Sequence, residues 1–191
     1  MTKIKLKQGE NIASDDELRE WQHLVAYHRD EQAYRRLFFH FYPLGVRFCT
    51  QYLRRGELAE EAVADVMTNL WLMGKKLMDI QNLRVYVLKA FRNKALDYAE
   101  KNRKFSFQEE LVHDMAADLQ SPEERMISSE AVAAIDRALD SLPPKCRAVF
   151  LLVRETRCTY REAAEIMGIA ENTVNRHIQT AIRQLAALLR L

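Results

Sequence analysis

Asn172, Asn175, Arg176, Gln179 and Arg183 recur at steps of one to four residues that bring them onto one face of a helix. Amide and guanidinium groups in that row can read base edges. Arg pairs bidentately with guanine, and Asn or Gln with adenine, in the major groove. Thr173 and Thr180 flank the row and add hydroxyls. On the opposite side Val174, Ile178, Ala181, Ile182 and Leu185 keep helical spacing and face inward. The plainer alternative is a solvated face on an ordinary amphipathic helix.

A reading helix needs a second helix to brace it. Residues 159–167 supply one, with Ala163, Ala164 and Met167 on one side. Gly168 follows where a left-handed terminator is required, and glycine adopts that conformation without steric cost. Ile169 plugs the corner and the reading helix starts near Glu171, with Ala170 at the N-cap position. The pair has the layout of a DNA-binding helix-turn-helix.

A second set of residues suits a single strand. Residues 84–104, RVYVLKAFRNKALDYAEKNRK, form a long basic helix. Val85, Leu88, Phe91, Ala95, Leu96 and Ala99 face the core, while Tyr86, Lys89, Arg92, Asn93, Lys94, Lys101, Arg103 and Lys104 line its other faces. Cations hold phosphates and flat rings offer stacking surfaces. A third set is acidic. Residues 57–73, ELAEEAVADVMTNLWLM, carry Leu58, Ala62, Val66, Leu70 and Met73 as an apolar stripe. Glu57, Glu60, Glu61 and Asp65 stand opposite, with no base from 56 to 74. These carboxylates have no His or Cys beside them and nothing to desolvate them, which disfavours catalysis or a metal site. A solvated face or a docking face for a basic partner is left.

The net charge of +2 hides a segregation. Residues 75–104 hold nine Lys/Arg against three Asp/Glu, residues 105–124 hold six acids and no Lys or Arg, and residues 143–191 hold eight bases against four acids. Two basic blocks with an acidic spacer suggest two surfaces for a polyanion. Five Gly and four Pro among 191 residues, with no Asn-Gly or Asp-Gly pair, point to helices almost throughout. No apolar run reaches a membrane span, and the first residues lack the apolar core of a signal peptide. Cys49, Cys146 and Cys158 are odd in number and widely spaced, which suits buried thiols in a reducing cytoplasm.

Along the chain, Ser14 and Glu17 form a capping-box pattern for a helix that carries Leu18, Trp21, Leu24 and Val25 inward. Residues 31–42 form a second helix holding Ala33, Tyr34, Leu37, Phe38 and Phe41, interrupted at Pro43 and resumed over 44–53. Gly74 ends the acidic helix, and residues 75–83 form a short irregular link. Residues 105–124 are a linker, a further segment occupies 122–141, and 146–155 opens the C-terminal unit. The expected fold is all-α: two small helical domains, 15–104 and 125–191, joined by the acidic linker, the second ending in the helix-turn-helix.

In this order the parts resemble an extracytoplasmic-function sigma factor of bacterial RNA polymerase. AEEAVADVMTNLW (59–71) resembles that family's helix for docking on the β′ clamp helices. YVLKAFRNKALDYAEKNRK (86–104) resembles its promoter-melting helix, and LDSLPPKCRAVFLL with TYREAAEIMGIAENTV (139–152 and 159–174) its C-terminal DNA-binding domain. The resemblance implies docking through Glu60, Glu61 and Asp65, with the β flap as a further polymerase contact. It implies −10 recognition by a loop at 79–83, with Asp79, Gln81 and Asn82, continued by Tyr86, Lys89, Arg92, Asn93, Lys101, Arg103 and Lys104. The 172–183 row would read the −35 duplex. Core RNA polymerase, double- and single-stranded promoter DNA and an anti-sigma factor are the implied partners, without membrane insertion. The chain offers no catalytic constellation, and no metal or cofactor is called for. Two rivals are a helix-turn-helix regulator that is not a polymerase subunit and a sigma-like interaction module.

Overall fold

The computed structural model describes residues 13–53, 55–109, 138–139 and 141–189, with side chains described to residue 102 in the long basic helix and to residue 187 in the last helix. Helix α1 (Asp15–His28) begins at a capping box. The Glu17 N–H donates to Ser14 Oγ at 3.2 Å and the Ser14 N–H donates to Glu17 Oε2 at 2.8 Å. Arg29 closes it in the left-handed region at φ 51°. Asp30 then caps α2 (Glu31–Cys49) by accepting from the Ala33 N–H at 2.7 Å.

Pro43 does not interrupt α2, contrary to the sequence expectation. The helix runs through it to Cys49. A proline inside a helix costs about 3 kcal/mol, but Leu37, Phe41, Phe48 and Cys49 are each buried to within 2%. Burying a single large apolar side chain is worth about 1.5–3 kcal/mol, so packing on both sides of Pro43 outweighs the break. Gly45 lies on the same stretch. A Cβ there would meet the Phe91 ring at 2.7 Å and Val63 at 2.9 Å, so α2, α3 and α4 meet closely at this glycine.

Helix α3 (Gly56–Met73) is the acidic one, and Gly74 ends it at φ 54°. The 75–83 link is more regular than expected, because Gly74–Asp79 form a 3-10 helix with Leu77 fully buried beneath it. Helix α4 (Leu83–Glu109) extends five residues into the stretch expected as linker. Its buried set also differs. Leu96 is 39% exposed while Val87 is fully buried. The reason is that α4 packs on α2 and α3 at one side and on the Tyr160–Met167 helix at another, which a single apolar stripe does not encode.

The C-terminal unit comprises α5 (Pro144–Glu155), α6 (Tyr160–Met167) and α7 (Glu171–Leu189). No strand occurs among the described residues. One apolar cluster runs from Leu37, Phe41, Met67 and Phe91 through to Val149, Leu152, Ile166 and Val174, so the two helical units share a core. A small satellite of Leu139, Leu142 and Ala181 sits at the far end. Most of the 122–141 segment lies outside the described residues.

Candidate nucleic-acid interface

Local chemistry sets the reading helix. Thr159 and Glu162 make a capping box: the Glu162 N–H donates to Thr159 Oγ1 at 3.2 Å, and the Thr159 N–H to Glu162 Oε2 at 2.8 Å. Gly168 terminates α6 at φ 62°, ψ 40°, the left-handed conformation expected of it. The Ile169 N–H donates back to the Ala164 carbonyl at 3.1 Å, which fixes the turn. Helix α7 follows at Glu171, and Val174, Ile178 and Ala181 are buried beneath it. Ile182, expected inside, is 40% exposed. It lies at the edge of the stripe, beside the fully buried Ala181.

With that face anchored, Asn172, Asn175, Arg176, Gln179 and Arg183 are all exposed, while Thr173 and Thr180 are half-buried. His177 was not anticipated as a participant. Its Nδ1 lies 3.1 Å from the buried Cys146 thiol. Burial first, then the Lys145 and Arg176 charges, hold its pKa below the usual imidazole range. The contact ties the middle of α7 to the start of α5.

The loop at 79–83 is held at both ends. Gln22 of α1 donates from Nε2 to the Leu77 carbonyl at 2.6 Å and to the Ile80 carbonyl at 3.0 Å. At the other end Arg84 donates to the Ala13 carbonyl at 2.9 Å and pairs with Asp15 at 2.8 Å. Asp79 and Gln81 are exposed between these anchors. Asn82 caps α4, its Oδ1 accepting from the Val85 N–H at 3.1 Å.

The structure brings this loop against the helix-turn-helix, which sequence reading did not foresee. Asn82 Nδ2 donates to Glu162 Oε1 at 2.9 Å, and Lys89 pairs with Glu165 at 3.2 Å. The Arg92 guanidinium lies against the turn, since a side chain at Gly168 would come within 3.6 Å of it. Tyr52 donates to Met167 Sδ at 3.4 Å and Arg47 pairs with Glu155 at 2.7 Å along the same seam. Desolvation pushes the Glu162 carboxyl up, but donors from the Thr159 backbone and hydroxyl and from Asn82 outweigh it, with a net downward shift. Tyr86 is 40% exposed, and Asn93 and Lys101 are exposed. The Arg103 and Lys104 side chains lie outside the described residues.

On α3, Glu60 and Glu61 stand exposed. Asp65 is engaged within the fold: Lys94 pairs with it at 2.9 Å and the Tyr98 hydroxyl donates to it at 3.0 Å. Those donors, Lys94 foremost, lower its pKa. Among the described residues no three His, Cys, Asp or Glu side chains are placed to hold a metal, and no helix is long and apolar enough to cross a membrane.

Comparison with known proteins bears on both units. Residues 37–105 match the family model for Sigma-70 region 2, and residues 133–185 match the model for Sigma-70, region 4. Among solved structures, the fold is similar to the sigma factor RpoE from Bartonella quintana, crystallised with the anti-sigma factor NepR. The two are 19% identical with a TM-score of 0.62, over 82% of this chain and 96% of that one. It is also similar to CnrH, solved with the cytosolic domain of CnrY, at 18% identity and a TM-score of 0.57 over 92% of this chain and 98% of that one. No curated protein matches. Helix α1 precedes the region 2 match.

Proposed function

The chain belongs to the sigma-70 family through its region 2 and region 4, and we propose that it is a sigma factor of the extracytoplasmic-function type that divides promoter recognition between its two basic surfaces. Helix α7 reads the −35 duplex through Asn172, Asn175, Arg176, Gln179 and Arg183, with Thr173 and Thr180 at its edge. The loop at 79–83 and the exposed side of α4 hold the unstacked −10 strand. Extruding a base costs a few kcal/mol, so a pre-shaped loop that offers Gln81 and Asn82 side chains and backbone groups is the economical receptor. The observation that carries this reading is the exposed polar row on α7, oriented by the buried Val174, Ile178 and Ala181.

Glu60 and Glu61 dock the β′ clamp helices of core RNA polymerase. Asp65, bound to Lys94 and Tyr98, contributes chiefly by joining α3 to α4. The chain acts in the cytoplasm as a binding subunit without catalysis of its own, and an anti-sigma factor is its expected regulator.

Promoter engagement requires the two regions to part. The −35 and −10 elements lie about 25 base pairs apart, on the order of 80 Å along the duplex at 3.4 Å per step. Lys89 and Glu165 touch at 3.2 Å, so the closed arrangement cannot span both elements. Run-off transcription with core polymerase on promoter fragments tests the whole reading. Transcripts with defined starts are expected, and their absence, with core binding intact, would favour a sigma-like interaction module.

A further inference from the structure

Gln22 is one of two buried polar residues among the described residues, the other being Thr156. Both of its amide hydrogens have partners, the Leu77 and Ile80 carbonyls. These carbonyls lie at the end of the 3-10 helix (Gly74–Asp79), where a helix runs out of its own donors. The Ile80 N–H also donates to the Leu77 carbonyl at 3.3 Å, so Gln22 completes a small closed network. The peptide that follows Ile80 begins Gln81, whose side chain is turned to solvent.

The opposite end of the loop is tied to the same helix, because Arg84 bonds to Ala13 and Asp15 at the start of α1. Helix α1 is thus a splint spanning both ends of a five-residue loop. It lies outside the residues that match region 2, so the splint belongs to this chain's own N-terminal helix.

We infer that Gln22 is a positioning residue for −10 recognition: its two amide bonds fix the Ile80–Gln81 peptide, and so the direction in which Gln81 meets an extruded base. The inference rests on the reading of 79–83 as the base-holding loop. A receptor held in its bound shape loses little freedom when its ligand arrives. Without the two donors the Ile80 peptide can turn, and Gln81 no longer meets one base in one geometry. Discrimination among bases then falls even where overall binding persists.

The test is a ratio measured within each preparation, so that the folded fraction cancels. Holoenzyme containing Gln22→Met, which keeps bulk but has no donors, is compared with wild type by run-off transcription. The templates are the cognate promoter, a set of single −10 substitutions and a scrambled −35. Loss of one base contact predicts that −10 discrimination falls about tenfold, with −35 discrimination unchanged. Gln22→Leu, close in size and without donors, takes the place of a methionine variant that fails to fold. Unchanged −10 discrimination, or equal loss at both elements, overturns the positioning role. Gln81→Ala with Asn82→Ala is run in parallel. If that pair leaves −10 discrimination intact, the loop reading itself fails and the inference falls with it. If the pair lowers discrimination and the Gln22 variants do not, only the inference fails.

Discussion

Asn82 and Glu162 meet at 2.9 Å although eighty residues separate them, and each already serves the capping of its own helix, Asn82 as the cap and Glu162 as the reciprocal partner of Thr159. Asn82 keeps its oxygen on Val85 while its amide nitrogen reaches Glu162. Glu162 keeps Oε2 on Thr159 and offers Oε1 across the seam. Two helix starts are therefore joined through their capping residues. Breaking this contact leaves both helices capped, while the Lys89–Glu165 and Arg47–Glu155 pairs and the shared apolar cluster hold the rest of the seam.

The seam should respond to charge. Glu165→Lys replaces the ion pair with Lys89 by repulsion. An exposed pair is worth about 0–1 kcal/mol, so binding of a single-stranded −10 oligonucleotide by the free protein should rise up to about fivefold at low salt. Fluorescence anisotropy reads this directly, and unchanged or weaker binding would show that the seam does not compete with DNA.

The two basic surfaces should differ in what their loss does. Arg176→Ala should cost about 1–3 kcal/mol at the cognate −35 site and flatten preference at one or two positions. Lys101→Ala should weaken cognate and scrambled promoters alike and shallow the salt slope by about 0.7, as for one single-strand phosphate contact. Holoenzyme binding across a salt series checks both. Equal weakening on both sites by Arg176→Ala would mean that α7 grips backbone only.

The acids of α3 should separate in the same way. Glu60→Lys with Glu61→Lys should weaken competition for core polymerase while thermal unfolding stays near wild type. Asp65→Asn should lower the unfolding temperature, since it removes a charge shared by Lys94 and Tyr98, with a cost below about 1 kcal/mol at so exposed a site. If Asp65→Asn left stability untouched and abolished core binding, the division of labour on α3 would be reversed.

Acid should weaken the α1 splint. Burial, then the Arg84 charge, hold the His40 pKa down at about 4, against a smaller upward pull from Glu17. The folded chain thus keeps His40 neutral where the unfolded chain takes up a proton near pH 6.5. Its contribution to stability is complete above that pH, declines as pH falls, and is gone below about 4. Urea unfolding between pH 7 and 4.5 should show a slope that His40→Gln reduces. An equal slope in the variant would assign the acid loss to carboxylates such as Glu17 and Glu162, whose pKa values are also lowered.

The helix-turn-helix was legible because its determinants are local: Gly168 at the left-handed corner, and apolar and polar rows three and four residues apart. The Ser14–Glu17 capping box and the exposed polar row of α7 follow from such short spacings, as does the Thr159–Glu162 box that the sequence reading passed over. Pro43 was misread because a local break was weighed without the buried Phe41 and Phe48 on either side of it. Gln22 and the Asn82–Glu162 seam left no sequence signal, because their partners lie 55 to 80 residues away and periodicity carries no record of that. Lys89 and Arg92 are expected on DNA from the basic pattern of their helix and its resemblance to a promoter-melting helix, and the fold shows them also facing the opposite unit.

All three cysteines are buried and unpaired. Burial raises the thiol pKa of each, that of Cys49 to about 12, and a protonated, enclosed thiol reacts slowly. The wild-type background is therefore already quiet toward maleimide dyes. Cysteines introduced at Gln32 and Ala187, one exposed position on each unit and neither in the docking face nor in the reading row, would take a donor–acceptor pair without stripping the native thiols. Energy transfer between them would then time the parting of the two units, molecule by molecule, as polymerase and promoter are added.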